Sequence, residues 1–104
     1  MISMEDLADL VDQAFEKGRL TEEERLEALR LDGLVRGKLK ESREEVFLAA
    51  EVSLTVDIED VERAQRRARI LQRLMDGRVL PVVIGEMVTE RARRKAEELG
   101  VIVA

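Results

Sequence analysis

The stretch Val46-Phe47-Leu48-Ala49-Ala50-Glu51-Val52-Ser53 decides how this sequence folds. It is a short apolar run that is typical of a strand, and it carries a single charged residue. Successive side chains of a strand point to opposite faces of the sheet, so Glu51 and Ser53 are predicted to share a face. A carboxylate inside an apolar strand is costly unless it is paired or lies at an open edge of the core. Glu51 is therefore a candidate functional residue.

The elements around this strand predict a mixed α/β sheet. A short strand over 31–36 precedes it, and the charged connection 37–45 suits a hairpin, so these two strands are expected to pair antiparallel. The downstream pattern predicts a helix over 58–76, a strand over 79–84, a helix capped by Thr89 and closed by Gly100, and a strand over 101–103. The resulting order β-β-α-β-α-β requires right-handed crossovers, and therefore parallel pairing, within its two β-α-β units.

Residues 1–30 are predicted to form a helical segment, followed by an α/β domain over 31–104. Apolar residues recur at helical spacing over 5–15, and Thr21 with Glu24 forms a capping box that opens a second helix. The two helices are expected to form a hairpin with one apolar face. Its expected role is packing or dimerisation.

The composition excludes several kinds of chemistry. The chain of 104 residues contains no cysteine and no histidine, which excludes disulfides, zinc sites built from Cys and His, and catalysis by Ser-His or Cys-His pairs. No segment has the length and apolar character of a membrane span, and no signal pattern opens the chain, so a cytoplasmic protein is expected. The many charges of both signs give it a thermophile-like composition.

The negative charge of the chain is concentrated near its start. The formal net charge is −5 in total, made up of −6 over residues 1–32 and +1 over residues 33–104. An acidic chain is not an obvious nucleic-acid binder. The nearly neutral second part nevertheless permits contact with phosphates.

Asp32 and Glu51 form the candidate metal site. They lie on consecutive strands that are expected to pair, and two carboxylates on neighbouring strands can hold one magnesium ion. The backbone carbonyl of Val52 is the natural third oxygen ligand. Such an ion can activate water for in-line attack on a phosphodiester.

The same residues resemble the PD-(D/E)XK nuclease superfamily, whose signature is an Asp on one strand and Glu-x-Lys on the next. Within it, the chain resembles a bacterial family of uncharacterised proteins. The segments that carry this likeness are Leu31–Gly37, Ala50–Ser53, Asp60–Ala68, Leu80–Glu86 and Ala96–Val101. The resemblance covers about residues 30–104. It implies a restriction-endonuclease-like three-layer core and makes Asp32 and Glu51 metal ligands.

Two features depart from that superfamily. The motif lysine, which would orient the attacking water, is Ser53, and a hydroxyl carries no positive charge. The candidate basic replacements are Arg63 and Arg67 on the predicted helix, and Lys38 and Lys40 in the hairpin. The first core strand is also expected to be missing, because the region before Asp32 is predicted to be helical. The exposed sheet edge that this would leave predicts a homodimer, formed either edge to edge or through the acidic N-terminal helices.

Two functions remain open from the sequence. The first is magnesium-dependent phosphodiester hydrolysis on DNA by a degenerate nuclease site that includes Asp32, Glu51 and Ser53. The alternative is a non-catalytic dimeric interaction module derived from the nuclease fold, in which the carboxylate and the hydroxyl are relics. Nucleic acid is a candidate partner in either case.

Overall fold

The computed structural model describes all residues, 1–104, as four helices and six strands. In chain order the elements are α1 (Met4–Glu16), α2 (Glu22–Leu29), β1 (Gly33–Lys38), β2 (Glu45–Val52), β3 (Thr55–Val56), α3 (Ile58–Gln72), β4 (Arg78–Ile84), β5 (Met87–Val88), α4 (Glu90–Leu99) and β6 (Ile102–Val103). The side chains of Thr21, Asp57 and Thr89 accept backbone N–H groups at the starts of α2, α3 and α4. These local caps explain why the predicted helix starts are correct.

The main sheet has the strand order β1-β2-β4-β6. Its β1–β2 pair is antiparallel, and the β2–β4 and β4–β6 pairs are parallel. The prediction of a mixed central sheet in a restriction-endonuclease-like α/β fold, with an N-terminal helical hairpin, is confirmed. No strand precedes β1, where the predicted helices α1 and α2 stand instead.

A second, two-stranded parallel sheet of β3 and β5 was not predicted. β2 ends at Val52, and the chain then pairs with the segment after β4 through the hydrogen bonds Met87 N to Leu54 O (3.2 Å) and Thr89 N to Val56 O (3.0 Å). Strands of two residues have no periodicity of their own. Their existence depends on a pairing partner more than thirty residues away in the sequence.

Helix α3 is shorter than the predicted 58–76 because the hydrogen bonding changes to a tighter turn after Gln72. The N–H groups of Arg73 and Leu74 reach carbonyls three residues back, which marks the last turn. The Gln72 side chain then spans the connection, donating to the carbonyl of Gly77 at 2.9 Å and accepting from the N–H of Val79 at 2.7 Å. The side chain of Gln72 thereby fixes where β4 begins.

The helices pack on one face of the main sheet. One core cluster joins Leu7 and Val11 of α1 and Leu71 of α3 to Leu34 and Ala49 of the strands. A second cluster joins α3 and α4 to β3 and β4, through the strand residues Val56 and Val83. Both β-α-β crossovers run in the same direction across the sheet, and right-handed crossovers of that kind place both helices on one side.

The opposite side of the sheet, which we call the open face, carries aliphatic side chains that belong to neither core cluster. Register and alternation assign to it Val35, Val46, Leu48, Ala50, Val52, Leu80, Val82, Ile84 and Ile102. This chain therefore supplies two layers of the fold. The prediction that 79–84 is a buried strand holds for Val79, Val82 and Val83, whereas Leu80 and Pro81 are half-buried and Ile84 is exposed.

The N-terminal hairpin shares its core with the rest of the chain, because α1 contributes to the same cluster as Leu34 and Leu71. The expected division of the chain at residue 30 and the expected role of the hairpin in dimerisation stay predictions. None of the helices combines the length and the apolar character needed to cross a membrane.

Substituting Gly85 tests the junction between the two sheets. A Cβ at this position would lie 2.5 Å from the backbone oxygen of Ser53 and 2.7 Å from Val56 Cγ2, so Gly85→Ala forces the backbone apart. We expect a loss of about 1–3 kcal/mol in the free energy of unfolding, measured by urea denaturation. Gly33→Ala is the control, because nothing lies within 4 Å of a Cβ there. Equal effects of the two substitutions would contradict this packing.

Candidate functional site

Glu51 is buried beneath helix α3, where it meets an arginine. Near the end of β2 its side chain points toward the helices and is 4% exposed. Arg67 of α3 donates from Nη1 to Glu51 Oε1 at 2.6 Å, and it too is buried. The carboxylate that the sequence singled out is therefore paired with a guanidinium inside the protein.

The Arg67 guanidinium also reaches helix α2. Its Nε donates to Glu27 Oε1 at 3.0 Å, and its Nη1 lies 3.2 Å from the carbonyl oxygen of Arg30. The planar fork of an arginine suits this role, because it can donate to several acceptors in fixed directions. One side chain thus links β2, α3 and the end of α2, and no buried side-chain nitrogen or oxygen is left without a partner.

Asp32 lies beside Glu51, immediately before β1, and is exposed. The antiparallel register that pairs Gly33 with Ala50 places Asp32 across from Glu51. The N–H of Asp32 lies 3.4 Å from Glu51 Oε2, and Asp32 Oδ2 accepts the N–H of Val52 at 2.8 Å. The structure therefore brings together the three residues predicted as metal ligands. The Asp32 carboxylate accepts a hydrogen bond from the backbone N–H of Val52.

Of the four candidate basic groups, the two arginines lie near Glu51. Arg63 Nε is 3.9 Å from Glu51 Oε1, while its Nη2 pairs with Asp60. Lys38 stands at the opposite end of β1 from Asp32, about 20 Å along the strand, and Lys40 follows it in the turn. The hairpin lysines are therefore remote from the two carboxylates.

Ser53 lies beyond the end of β2, so the alternation that predicted it beside Glu51 stops one residue before it. Its hydroxyl donates to the carbonyl oxygen of Thr55 at 3.0 Å, and no hydrogen bond joins it to Glu51. The hydroxyl serves the local turn into β3.

Burial and pairing act on the ionisation of the site in opposite directions. Burial raises the pKa of Glu51 above its usual range, the hydrogen bond from Arg67 opposes this, and the charge of Asp32 adds to it. Burial also disfavours charge on Glu27, but hydrogen bonds from Arg67 and Arg66 outweigh it and lower the pKa of Glu27. Burial disfavours charge on Arg67, but its bond to Glu51 prevails and raises the pKa of Arg67. The guanidinium stays charged at every physiological pH.

The carboxylate oxygens of Asp32 and Glu51 are poorly arranged to bind a magnesium ion. Magnesium takes oxygen ligands in near-octahedral geometry and commonly uses one or two carboxylates. Here one oxygen of Glu51 is held by Arg67, and one oxygen of Asp32 is held by a backbone N–H. No group of three or more acidic side chains is arranged to hold a metal ion. A magnesium ion bound by Glu51 would have to share the carboxylate with the buried Arg67, or displace the arginine from it.

Glu27 is the member of this site that the sequence analysis missed. It lies on α2, in the segment expected only to pack or dimerise, and it comes within reach of Glu51 only through Arg67. One signal was available in α3. Arg67 lies three residues after Ala64 and four before Leu71, and therefore on the buried stripe of the helix rather than on its outer face.

Comparison with known proteins supports a nuclease-like fold. The structure is similar to the crystal structure of a repair endonuclease from Pyrococcus abyssi, with a TM-score of 0.50 and 17% sequence identity. The similarity covers 92% of this chain and 44% of the endonuclease chain, so this chain spans less than half the length of that protein. No protein-family model and no curated protein sequence matches the chain. The similarity concerns the fold alone. That Glu51-Val52-Ser53 corresponds to the Glu-x-Lys motif stays a prediction.

Replacing Arg67 tests the buried pair through its pH dependence. Arg67→Met leaves Glu51 buried without its counter-charge, and we expect a loss of about 3–5 kcal/mol in the free energy of unfolding near pH 8. The pKa of Glu51 rises further in this variant, so the penalty is full above that pKa and is relieved as the pH falls through it. Measured by urea denaturation, the difference in the free energy of unfolding between the wild type and Arg67→Met should decrease as the pH is lowered toward 5.

The matched control is Arg66→Met, which removes an exposed guanidinium paired with Glu27. We expect Arg66→Met to lower the free energy of unfolding by about 0–1 kcal/mol, with no comparable dependence on pH. A gap between wild type and Arg67→Met that is small, or constant with pH, would contradict the buried pair.

Proposed function

We propose that this chain is a non-catalytic interaction module built on a nuclease-like fold, in which the former ligand position holds a structural ion pair. The observation that carries the proposal is the 2.6 Å contact between Arg67 Nη1 and Glu51 Oε1, with both side chains buried. In this proposal Glu51 stabilises the packing of α3 on the sheet, and Asp32 holds the backbone at Val52.

The energetic comparison favours the ion pair over a bound metal. Breaking a buried ion pair costs about 3–5 kcal/mol, because the remaining charge is left without compensation. A metal site with a dissociation constant of ~1 mM corresponds to about 4.1 kcal/mol of binding free energy. Separating Glu51 from Arg67 would therefore cancel an affinity of that size.

The residue that stands in place of the motif lysine, Ser53, supports the same proposal. Losing a positioned basic or charge-stabilising group costs roughly 10²–10⁴ in rate. Ser53 carries no charge, and its hydroxyl is bound to the carbonyl of Thr55. The guanidinium groups of Arg63 and Arg67 are already paired with carboxylates.

The second candidate function is magnesium-dependent cleavage of DNA. It is favoured by the meeting of Asp32, Glu51 and the Val52 backbone at one end of β1 and β2, with Arg67 beside them. In that case Asp32, Glu51 and the Val52 carbonyl would be the ligands, and Arg63 or Arg67 would replace the motif lysine. The metal would supply an activated water.

Calorimetric titration of Mg²⁺ and Mn²⁺ separates the two functions. We expect neither ion to bind the wild type, because Arg67 occupies the carboxylate, and we expect no nicking of supercoiled plasmid in the presence of either ion. Glu51→Gln, which keeps the shape of the side chain but removes its charge, should give the same blank titration. Wild-type binding that is lost in Glu51→Gln would overturn the proposal and establish a metal site.

Restoring the lysine tests how far the site departs from a nuclease. Ser53→Lys supplies the missing charge but leaves Glu51 bound to Arg67, so we expect plasmid nicking to stay at the level of the buffer. Circular dichroism confirms that the variant is folded. Metal-dependent nicking by folded Ser53→Lys would show that the lysine is the one missing part, contrary to the proposal.

A further inference from the structure

A row of arginines on α3 is the surface feature that the proposed function leaves unexplained. Residues 63–75 contain five arginines and no acidic residue. Two of these arginines lie near Glu51 and belong to the site described above. The other three are exposed and follow one another at intervals of three and four residues, which places them on one face of the helix and its last turn. We call them the arginine row: Arg66, Arg69 and Arg73.

The arginine row lines a groove that is formed where α2 and α4 flank α3. The groove has a volume of about 680 Å³, and Lys95 of α4 adds a further cation to its lining. Glu62 of α3 is one of four acidic side chains in the groove. The other three belong to α2: Glu23, Glu24 and Glu27. The groove therefore combines a cationic helix, α3, with an acidic wall that α2 supplies.

Two glutamates of α2 neutralise most of the arginine row. Arg73 Nη2 pairs with Glu24 Oε2, and Arg66 Nε donates to Glu27 Oε1 at 3.0 Å. Arg69, which lies between these two arginines, is exposed and has no carboxylate partner. The carboxylates of α2 thus offset two of the three positive charges in the row.

These two ion pairs are exposed enough to exchange with another anion. The side chains of Arg66 and Arg73 are 54% and 48% exposed. Exposed ion pairs contribute little to stability, so their replacement by other ion pairs costs little. Glu27 also binds the buried Arg67, and that contact keeps α2 in place when Arg66 is released.

We propose that the arginine row is a binding surface for the phosphate backbone of DNA, which Glu24 and Glu27 mask in the free protein. This inference rests on the proposed function as an interaction module and names its partner. The planar guanidinium fork matches phosphate as well as carboxylate, so phosphates can take over the positions of the two glutamates. The mask also accounts for a cationic row in a chain whose first 32 residues carry a net charge of −6.

The spacing of the arginine row fits a repeating anion. A helix rises about 1.5 Å per residue, so the row extends about 10 Å from Arg66 to Arg73. One strand of DNA carries a phosphate at each step of about 3.4 Å along the helix axis. The row can therefore face on the order of three successive phosphates, whereas a single small anion would leave part of it without a partner.

Removing the two masking charges tests the proposal. We expect the double variant Glu24→Gln, Glu27→Gln to bind a labelled DNA duplex at least ~10-fold more tightly than the wild type, because two carboxylates no longer repel the phosphates. Fluorescence anisotropy at low ionic strength, with EDTA present, measures the affinity. The fold is expected to persist, since Gln completes a capping box as Glu does and its amide oxygen still accepts from Arg67.

The matched control is the double variant Glu5→Gln, Glu16→Gln, which changes the net charge of the chain by the same amount. Glu5 and Glu16 lie on α1, are exposed and do not line the groove. The control should bind DNA as weakly as the wild type. An equal gain in both double variants, or no gain in the first, would overturn the inference.

Replacing the arginine row shows whether the gain comes from these side chains. Adding Arg66→Gln, Arg69→Gln and Arg73→Gln to the first double variant should return the affinity to the wild-type level. Before that change, the logarithm of the binding constant should fall with the logarithm of the salt concentration with a slope of about −2.7, as expected for three phosphate contacts. A gain that survives the loss of the arginines would contradict the proposal. Equally tight binding of a polyglutamate peptide would rule out DNA as the preferred partner.

Two further measurements keep the outcomes separate. If circular dichroism shows that the first double variant is unfolded, Glu24→Gln alone carries the test against Glu16→Gln, since Glu24 does not touch Arg67. The EDTA in the DNA assay makes it independent of any metal. If the unmasked variant binds no DNA, the masked surface is wrong and the non-catalytic module stands. If the wild type binds Mg²⁺ through Glu51 in the calorimetric titration, the non-catalytic module itself is wrong.

Discussion

The buried ion pair of Glu51 and Arg67 is the interaction on which the arrangement of this protein depends. A carboxylate within the core side of a sheet is costly without a partner, and Arg67 supplies that partner from the covering helix. The same guanidinium binds Glu27 and the carbonyl of Arg30. The register of β2, the rotation of α3 and the position of α2 are therefore fixed together.

One-sided packing is the second constraint. Two successive right-handed crossovers in the same direction place α3 and α4 on one side of the sheet, and α1 packs there as well. The strands are apolar on both faces, yet the helices cover only one. Neighbouring residues of β2 therefore lie in different surroundings: Glu51 faces the helices and is buried, whereas Val52 faces outward and is exposed.

The sequence was sufficient for the features that depend on local signals. The capping box of Thr21 and Glu24, the Thr89 cap and the left-handed Gly100 each set a helix end through neighbouring residues alone. The hairpin register then brings Asp32 to Glu51, because antiparallel strands with a short connection have little freedom to slip.

The remaining features depend on contacts between distant segments. Which arginine of α3 meets Glu51 is decided by the rotation of the helix on the sheet, and Arg63 and Arg67 are only one turn apart. Ser53 left the predicted face because β2 ends early to pair its continuation with β5. A continuous apolar strand also predicts burial on both faces, so its pattern could not indicate that Ile84, at the end of β4, is exposed.

The most direct test of the central claim is the carboxyl carbon-13 resonance of Glu51, followed by NMR while Mg²⁺ is added at neutral pH. If Arg67 occupies this carboxylate as a structural partner, the Glu51 resonance stays at its metal-free position, while exposed carboxylates shift weakly with ionic strength. A saturable shift of Glu51, with Asp32 following at the same concentration, would show that magnesium displaces the arginine and would contradict the account.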